Sequence, residues 1–162
     1  MVIVVIGQSG SGKTTFVKKN FLQGECKTVE DIVPYTTNGE YCVIGKYFVG
    51  IRTEGTDTLS YSAGDKIRKL TQKLVENNHN VVLEGDRINN RATFAFLSLL
   101  HVPVKLYLIN CKLETSVHRL RAAGSKITLP FLKTTKTKSR NNFLKWGKRF
   151  NGEVVNTDGL QD

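Results

Sequence analysis

The chain opens on Val2–Ile6, five apolar and mostly β-branched residues with no polar alternation. Such a run is expected where a strand is covered on both faces, as in a parallel sheet. Residues 7–12 turn to glycine and serine, and 13–22 predict a helix that turns Phe16, Val17 and Phe21 or Leu22 inward. From 27 to 60 the chain is rich in Thr, Tyr, Val and Gly and reads as extended segments and turns. Within it, 41–44 and 47–51 around Gly45 and Lys46 predict a hairpin. Helical spacing returns at 62–78, where Ile67, Leu70, Leu74 and Val75 share a face. A second buried strand is expected at 81–83, an apolar helix at 92–101, a third strand at 105–110 and a helix at 113–123. Residues 135–150 predict a basic amphipathic helix, with Phe143, Trp146 and Phe150 at spacings of three and four, and 153–155 a last short strand. Strands alternating with helices imply a mostly parallel sheet covered on both faces, a three-layer α/β sandwich. No repeat, low-complexity tract or linker divides the chain, so 1–162 reads as a single domain.

Composition narrows the class. A chain of 162 residues supports one compact domain, and 40% hydrophobic residues exclude a wholly disordered one. The opening apolar run is far too short to span a membrane, and it lacks a basic lead and a cleavage site. No membrane partner and a cytoplasmic location are therefore expected. Three widely spaced cysteines, Cys26, Cys42 and Cys111, argue against a disulfide framework or zinc cluster and for a reducing compartment.

Charge changes the picture more. The formal net charge is +10, but residues 1–104 carry only +2 and residues 150–162 carry −3. Residues 105–149 carry +11, with Glu114 their one acid. Between Lys126 and Arg149 the cations interleave with Phe131, Phe143 and Trp146. Two readings stand side by side: a solvated helix face, or a surface that meets a phosphate backbone with bases nearby.

The chemistry begins at Gly7-Gln8-Ser9-Gly10-Ser11-Gly12-Lys13-Thr14, a full match to G-x-x-x-x-G-K-[ST] followed by Thr15. Glycines permit a tight turn whose backbone N–H groups converge on phosphate oxygens. The helix that follows adds its partial positive charge. Lys13 reaches the β- and γ-phosphates, and the Thr14 hydroxyl is a ligand for Mg²⁺. A strand precedes the loop and a helix follows it, as the motif requires. The expected cofactors are ATP and Mg²⁺.

A second cluster is Val81-Val82-Leu83-Glu84-Gly85-Asp86-Arg87, an apolar strand ending in two carboxylates and an arginine. Ligands of open α/β sheets bind at the C-terminal ends of strands. Glu84 is the better candidate for the metal shell or a base; Asp86 and Arg87 are candidates for substrate or for bridging to the loop.

No N-K-x-D guanine motif is present, and the chain is short for a helicase-type ATPase. With the loop at 7–14, the acid-bearing strand end at 84–87 and the region after Lys105, the sequence resembles the P-loop nucleoside and nucleotide kinase group. The resemblance implies a phosphotransferase whose short basic lid supplies arginines to the transferring phosphoryl. Arg119 and Arg121, in the helix after 106–109, stand where that lid arginine is expected, and the lid with its basic helix would cover about 119–150. Val154 to Gly159 resembles the terminal segment near adenine. The acceptor insert would be about 33–61, with Tyr35, Thr36 and Asp57 as candidate substrate residues. Asp57 suits a hydroxyl proton acceptor, and equally a plain turn acid. Tyr35, Tyr61 or Phe48 could stack on an acceptor base or belong to the core.

The basic tract at Lys133, Lys136, Lys138, Arg140, Lys145, Lys148 and Arg149 suits a polymer. Together with the loop, it makes the chain similar to the bacteriophage 5-hydroxymethyluracil DNA kinases. That resemblance implies transfer to the hydroxymethyl of a base in DNA, in the host cytoplasm, with Lys136, Lys138 and Arg140 on the substrate. A kinase for a free nucleotide or other small molecule, and a nucleotide-dependent nucleic-acid-binding protein, remain alternatives. Which of Asp57, Glu84 or Asp86 is the base stays open.

Overall fold

The computed structural model describes residues 1–48 and 54–159. Its centre is a seven-stranded sheet: β1 (Val2–Ile6), β2 (Lys27–Val29), β3 (Tyr35–Thr37), β4 (Tyr41–Ile44), β5 (Asn80–Glu84), β6 (Val104–Asn110) and β7 (Glu153–Asn156). The order is β2-β3-β4-β5-β1-β6-β7. The five strands from β4 to β7 along this order run parallel, and β2 and β3 form an antiparallel edge. Five helices accompany it: α1 (Lys13–Phe21), α2 (Gly64–Glu76), α3 (Arg91–Leu99), α4 (Leu113–Ala122) and α5 (Leu129–Trp146). This is the mostly parallel α/β fold expected from the sequence.

The unbroken apolar run of β1 has a direct cause: the strand is central and both of its faces are covered. Val2, Val4 and Ile6 join the cluster built with α2 and α3, including Ile67, Leu70, Phe94 and Leu97. Ile3 and Val5 join the other, with Val17 and Phe21 of α1. All five β1 side chains are buried. Parallel pairing sets Val5 beside Glu84 on one side and beside Tyr107 on the other. The loop that leaves β1 thus starts next to the acid that ends β5. No helix among the described residues is long and apolar enough to cross a membrane.

Two elements differ from expectation. Tyr41–Ile44 pairs antiparallel with Tyr35–Thr37, not with 47–51. The other edge of β4 is taken by β5 in parallel, so no edge is left for a following strand. Tyr47 and Phe48 lie outside any strand, and 49–51 fall outside the described residues. Lys46 makes only an isolated antiparallel bridge to Gly55.

The basic helix also starts earlier, at Leu129, and ends at Trp146. Pro130 lies in its first turn, where the missing N–H has no partner to lose. Thr128 caps the helix by accepting from the Phe131 amide. Most of the segment expected to be lid is therefore regular helix. Phe143 and Trp146 pack against the core cluster. The Trp146 ring stacks on Phe94 at 5.8 Å and on Phe150 at 5.7 Å. Of the aromatics interleaved with the basic tract, these two serve the core, and only Phe131 is well exposed.

Candidate active site

The chain leaves β1 through glycines whose positive φ values would strain a residue with a side chain. Gly10 has φ +72°, and a side chain there would strike Leu120 and the Ser116 carbonyl of α4. Gly12 has φ +89° and sits at the N-cap of α1, leaving the first amides of that helix to face the loop. The loop is braced from below. Gln8 is buried and donates from Nε2 to Ser116 Oγ at 2.8 Å and to the Cys111 carbonyl at 3.2 Å. Thr157 donates to the Ser11 carbonyl at 2.7 Å. Lys13 Nζ folds back onto the Gln8 carbonyl at 2.8 Å.

Opposite the loop stands Glu84. Thr14 Oγ1 donates to its Oε1 at 3.1 Å, and its side chain is buried. Burial pushes its carboxyl up to about 7; Lys13 draws it down, Asp57 adds to the rise, and the Thr14 and Tyr47 hydroxyls favour the anion. Gly55 permits this packing, since a side chain there would collide with Glu84 Oε1 and the buried Tyr47 hydroxyl. Thr56 Oγ1 donates to the Glu84 carbonyl at 2.5 Å and ties the same segment to the end of β5.

These groups open into one cleft of about 610 Å³. Ser9, Gly10, Gly12, Lys13, Thr14 and Thr15 line its loop side, and Glu54, Asp57 and Glu84 face them. Arg119 and residues 123–127 form the remaining wall. Arg119 donates from Nη2 to the Thr157 carbonyl at 2.9 Å, so the terminal segment and α4 are joined beside the loop. A hydroxyl and a buried carboxylate oxygen within hydrogen-bond distance are a donor set suited to Mg²⁺, which takes few protein ligands and completes its shell with phosphate and water oxygens. No cluster of three or more His, Cys, Asp or Glu side chains able to hold a metal is found among the described residues.

Solved structures share this fold. The deoxyadenosine kinase of M. mycoides with bound dATP superposes with a TM-score of 0.52 at 13% identity, covering 100% of this chain and 93% of that one. The same enzyme with bound dCTP gives 0.50 at 14% identity, covering 98% and 91%. No family model and no curated protein sequence matches the chain.

Several predicted site residues lie elsewhere. Gly7, Gln8 and Ser11 belong to the loop but support it rather than line the cleft. Tyr35 and Thr36 are in β3; Thr36 is buried, donating to the Gly45 carbonyl and accepting from the Tyr47 amide. They are framework, because the strand they occupy is paired on both edges. Arg121 points away from Arg119, into a separate groove with His118 and Lys133, since two residues along a helix turn the side chain to another face. Lys138 pairs with Asp86 at 3.0 Å, and Lys136 donates to the Cys111 carbonyl at 2.7 Å. Arg140 lines a small cavity of about 230 Å³ behind the loop. Helix α5 thus sets Lys136, Lys138 and Arg140 outside the cleft. Arg87 stands behind Asp57, binding it at 2.9 Å.

Glu54 carries no expectation from the sequence, whereas Lys126 and Thr157 fall within the segments read as lid and as terminal segment. Glu54 pairs with Lys18 and accepts from the Phe48 amide. The one signal for it is the Glu54-Gly55 pair, which repeats the Glu84-Gly85 pair of the other acid site.

Proposed function

We propose that this chain is an ATP-dependent kinase that transfers the γ-phosphoryl to a hydroxyl of a small molecule. The observation that carries the reading is the convergence of Lys13, Thr14 and the buried Glu84 in one cleft with a second acid, Asp57, across from the loop. In this reading the loop amides and Lys13 hold the β- and γ-phosphates, and Arg119 approaches the same oxygens from α4. Thr14 and Glu84 would hold Mg²⁺, which when bound neutralises charge between the phosphates. Asp57, fixed by Arg87, accepts or orients the acceptor hydroxyl. Residues 54–57 carry the acceptor side, and 119–127 close the phosphate side. The fold shared with a deoxyadenosine kinase supports a small acceptor.

The DNA acceptor is the second reading. It draws on the exposed cations Lys133, Arg140, Lys145 and Lys148 along and after α5. It is weakened because Lys136, Lys138 and Arg149 are engaged with the chain itself, and because Phe143 and Trp146 pack inward.

The test is transfer from γ-labelled ATP to free nucleosides, nucleotides and an oligonucleotide bearing 5-hydroxymethyluracil. Label is expected on a free acceptor, and Lys13→Ala is expected to lower transfer by roughly two to three orders of magnitude. Label on the oligonucleotide alone would move the assignment to the DNA reading. Full activity in Lys13→Ala would remove both.

A further inference from the structure

The cavity of about 230 Å³ behind the phosphate loop lies between α5 and the strands β6 and β7. Leu108, Ile109 and Val154 give it apolar walls. Its polar lining is one-sided. Lys136 and Arg140 bring two cations, Asn110 and Ser139 bring donors, and no acid among the described residues lines it. The two cations stand four residues apart on α5, where like charges repel. The acids of the last strand and its turn are engaged elsewhere. Glu153 pairs with Lys105. Asp158, the acid within electrostatic reach of Lys136, accepts from the Lys112 amide at 2.9 Å and the Thr115 hydroxyl at 2.7 Å.

The donors around the cavity have capacity left. Lys136 gives one hydrogen bond, to the Cys111 carbonyl at 2.7 Å. Ser139 is buried and accepts from Asn89 at 3.0 Å, and its own proton meets no acceptor among the described residues. The Asn110 side-chain amide and the Arg140 guanidinium form no hydrogen bond or ion pair among the described residues. Water satisfies such donors one at a time but leaves the two cations repelling each other, whereas an anion answers both. Size selects among anions. Pockets for drug-sized ligands run to roughly 300–1,000 Å³, and this smaller cavity suits an ion with a few waters. The guanidinium fork matches the paired oxygens of a tetrahedral oxyanion.

We infer that this cavity binds a small tetrahedral oxyanion of the phosphate class, held by Arg140, Lys136, Asn110 and Ser139 and separate from the nucleotide cleft. Gln8 is the one residue of the phosphate loop in its lining, and the Gln8 amide nitrogen braces that loop through Ser116 and Cys111. The bound anion therefore sits against the frame of the loop, not in its cradle. The inference goes beyond the kinase reading and does not depend on it.

Arginine Nε–Hε NMR of the full chain tests it, with Mg²⁺ and a non-hydrolysable ATP analogue added to fill the loop. The Arg140 signal is the one missing from Arg140→Gln. Phosphate is expected to shift that signal saturably, sulfate to do the same, and sodium chloride at matched ionic strength to leave it in place. In Arg140→Gln the titration is read on the Asn110 side-chain amide. Phosphate binding there is expected to weaken about 10- to 100-fold, the loss of a charged hydrogen-bond partner. Asn110→Ala, read on Arg140, keeps the backbone bond from the Thr157 amide and is expected to weaken binding less. A shift that never saturates, or that chloride reproduces, overturns the site, because it reports screening alone. Phosphate affinity indifferent to Arg140→Gln overturns it as well. A shift caused by an oligonucleotide and not by phosphate overturns it too and assigns Arg140 to a polymer-binding face. Every signal comes from the cavity itself, so a chain that transfers no phosphoryl group still gives a decisive result.

Discussion

Glu84 gives up its proton less readily than an exposed carboxyl because burial makes ionisation costly. Its carboxyl is buried and raised from 4.5 to about 7. A carboxyl raised in this way stabilises the fold fully below about pH 4.5 and loses that contribution as the pH climbs to 7. The full shift corresponds to about 3 kcal/mol. Glu84→Gln removes the dependence. The variant is therefore expected to match the native protein at pH 4 and to exceed it by about 3 kcal/mol at pH 8, less what the Thr14 hydrogen bond contributes. Urea unfolding of both chains from pH 4 to 8 measures the difference, and a difference that stays constant over that range contradicts the burial argument. Stability and function then oppose each other at one residue, since the same variant should lose phosphoryl transfer.

At the scale of elements, α5 shows why a basic sequence is not automatically a binding surface. Its lysines and arginines alternate with residues that must pack, and the helix turns one stripe into the core. Leu132, Thr135 and Ser139 are buried there, and Ser139 accepts from Asn89 at 3.0 Å. Phe94, Trp146 and Phe150 lock the end of α5 against α3. Phe94 is fully buried, and Phe94→Ala is expected to cost about 3–5 kcal/mol. Chemical denaturation reads that directly, and a loss below 1 kcal/mol would mean the aromatic stack is not a structural joint. The spacing of Phe143, Trp146 and Phe150 points to one apolar face because it is local, although the helix stops at Trp146 and Phe150 packs from the turn that follows. The start at Leu129, ahead of the expected 135, depends on Pro130 sitting in the first turn behind the Thr128 cap, a placement that apolar spacing does not reveal.

At the scale of the whole molecule, the excess of charge divides into groups held by ion pairs or hydrogen bonds and exposed ones, of which Lys145 lies over the Trp146 ring. Lys105 pairs with Glu153, Lys138 with Asp86, and Arg149 binds the Ser98 carbonyl. Lys133, Lys145 and Lys148 remain exposed. Replacing these three by Gln is expected to weaken retention on an immobilised polyanion and to flatten its salt dependence, each phosphate contact contributing about one unit of slope. Under the small-acceptor reading the same variant keeps its acceptor KM within about twofold, because P-loop and lid groups lie elsewhere. A large rise in KM, measured on the free acceptor, would place this face at the substrate after all.

How much of this was written in the chain depends on distance along it. The P-loop, the flanking strand and helix, and the acid at the end of β5 could be read directly, because each is a short motif whose geometry its own residues dictate. The order of strands, the pairing of Val5 with Glu84, and the closure of Glu54 and Asp57 onto the loop could not. They arise when segments separated by tens of residues pack on a common sheet. The sequence by itself determined that a glycine-rich phosphate-loop motif would stand between a strand and a helix, and where charge would gather. Only the tertiary structure decided which charges face the cleft, because a helix distributes neighbouring residues over different faces and a sheet sets distant strand ends side by side.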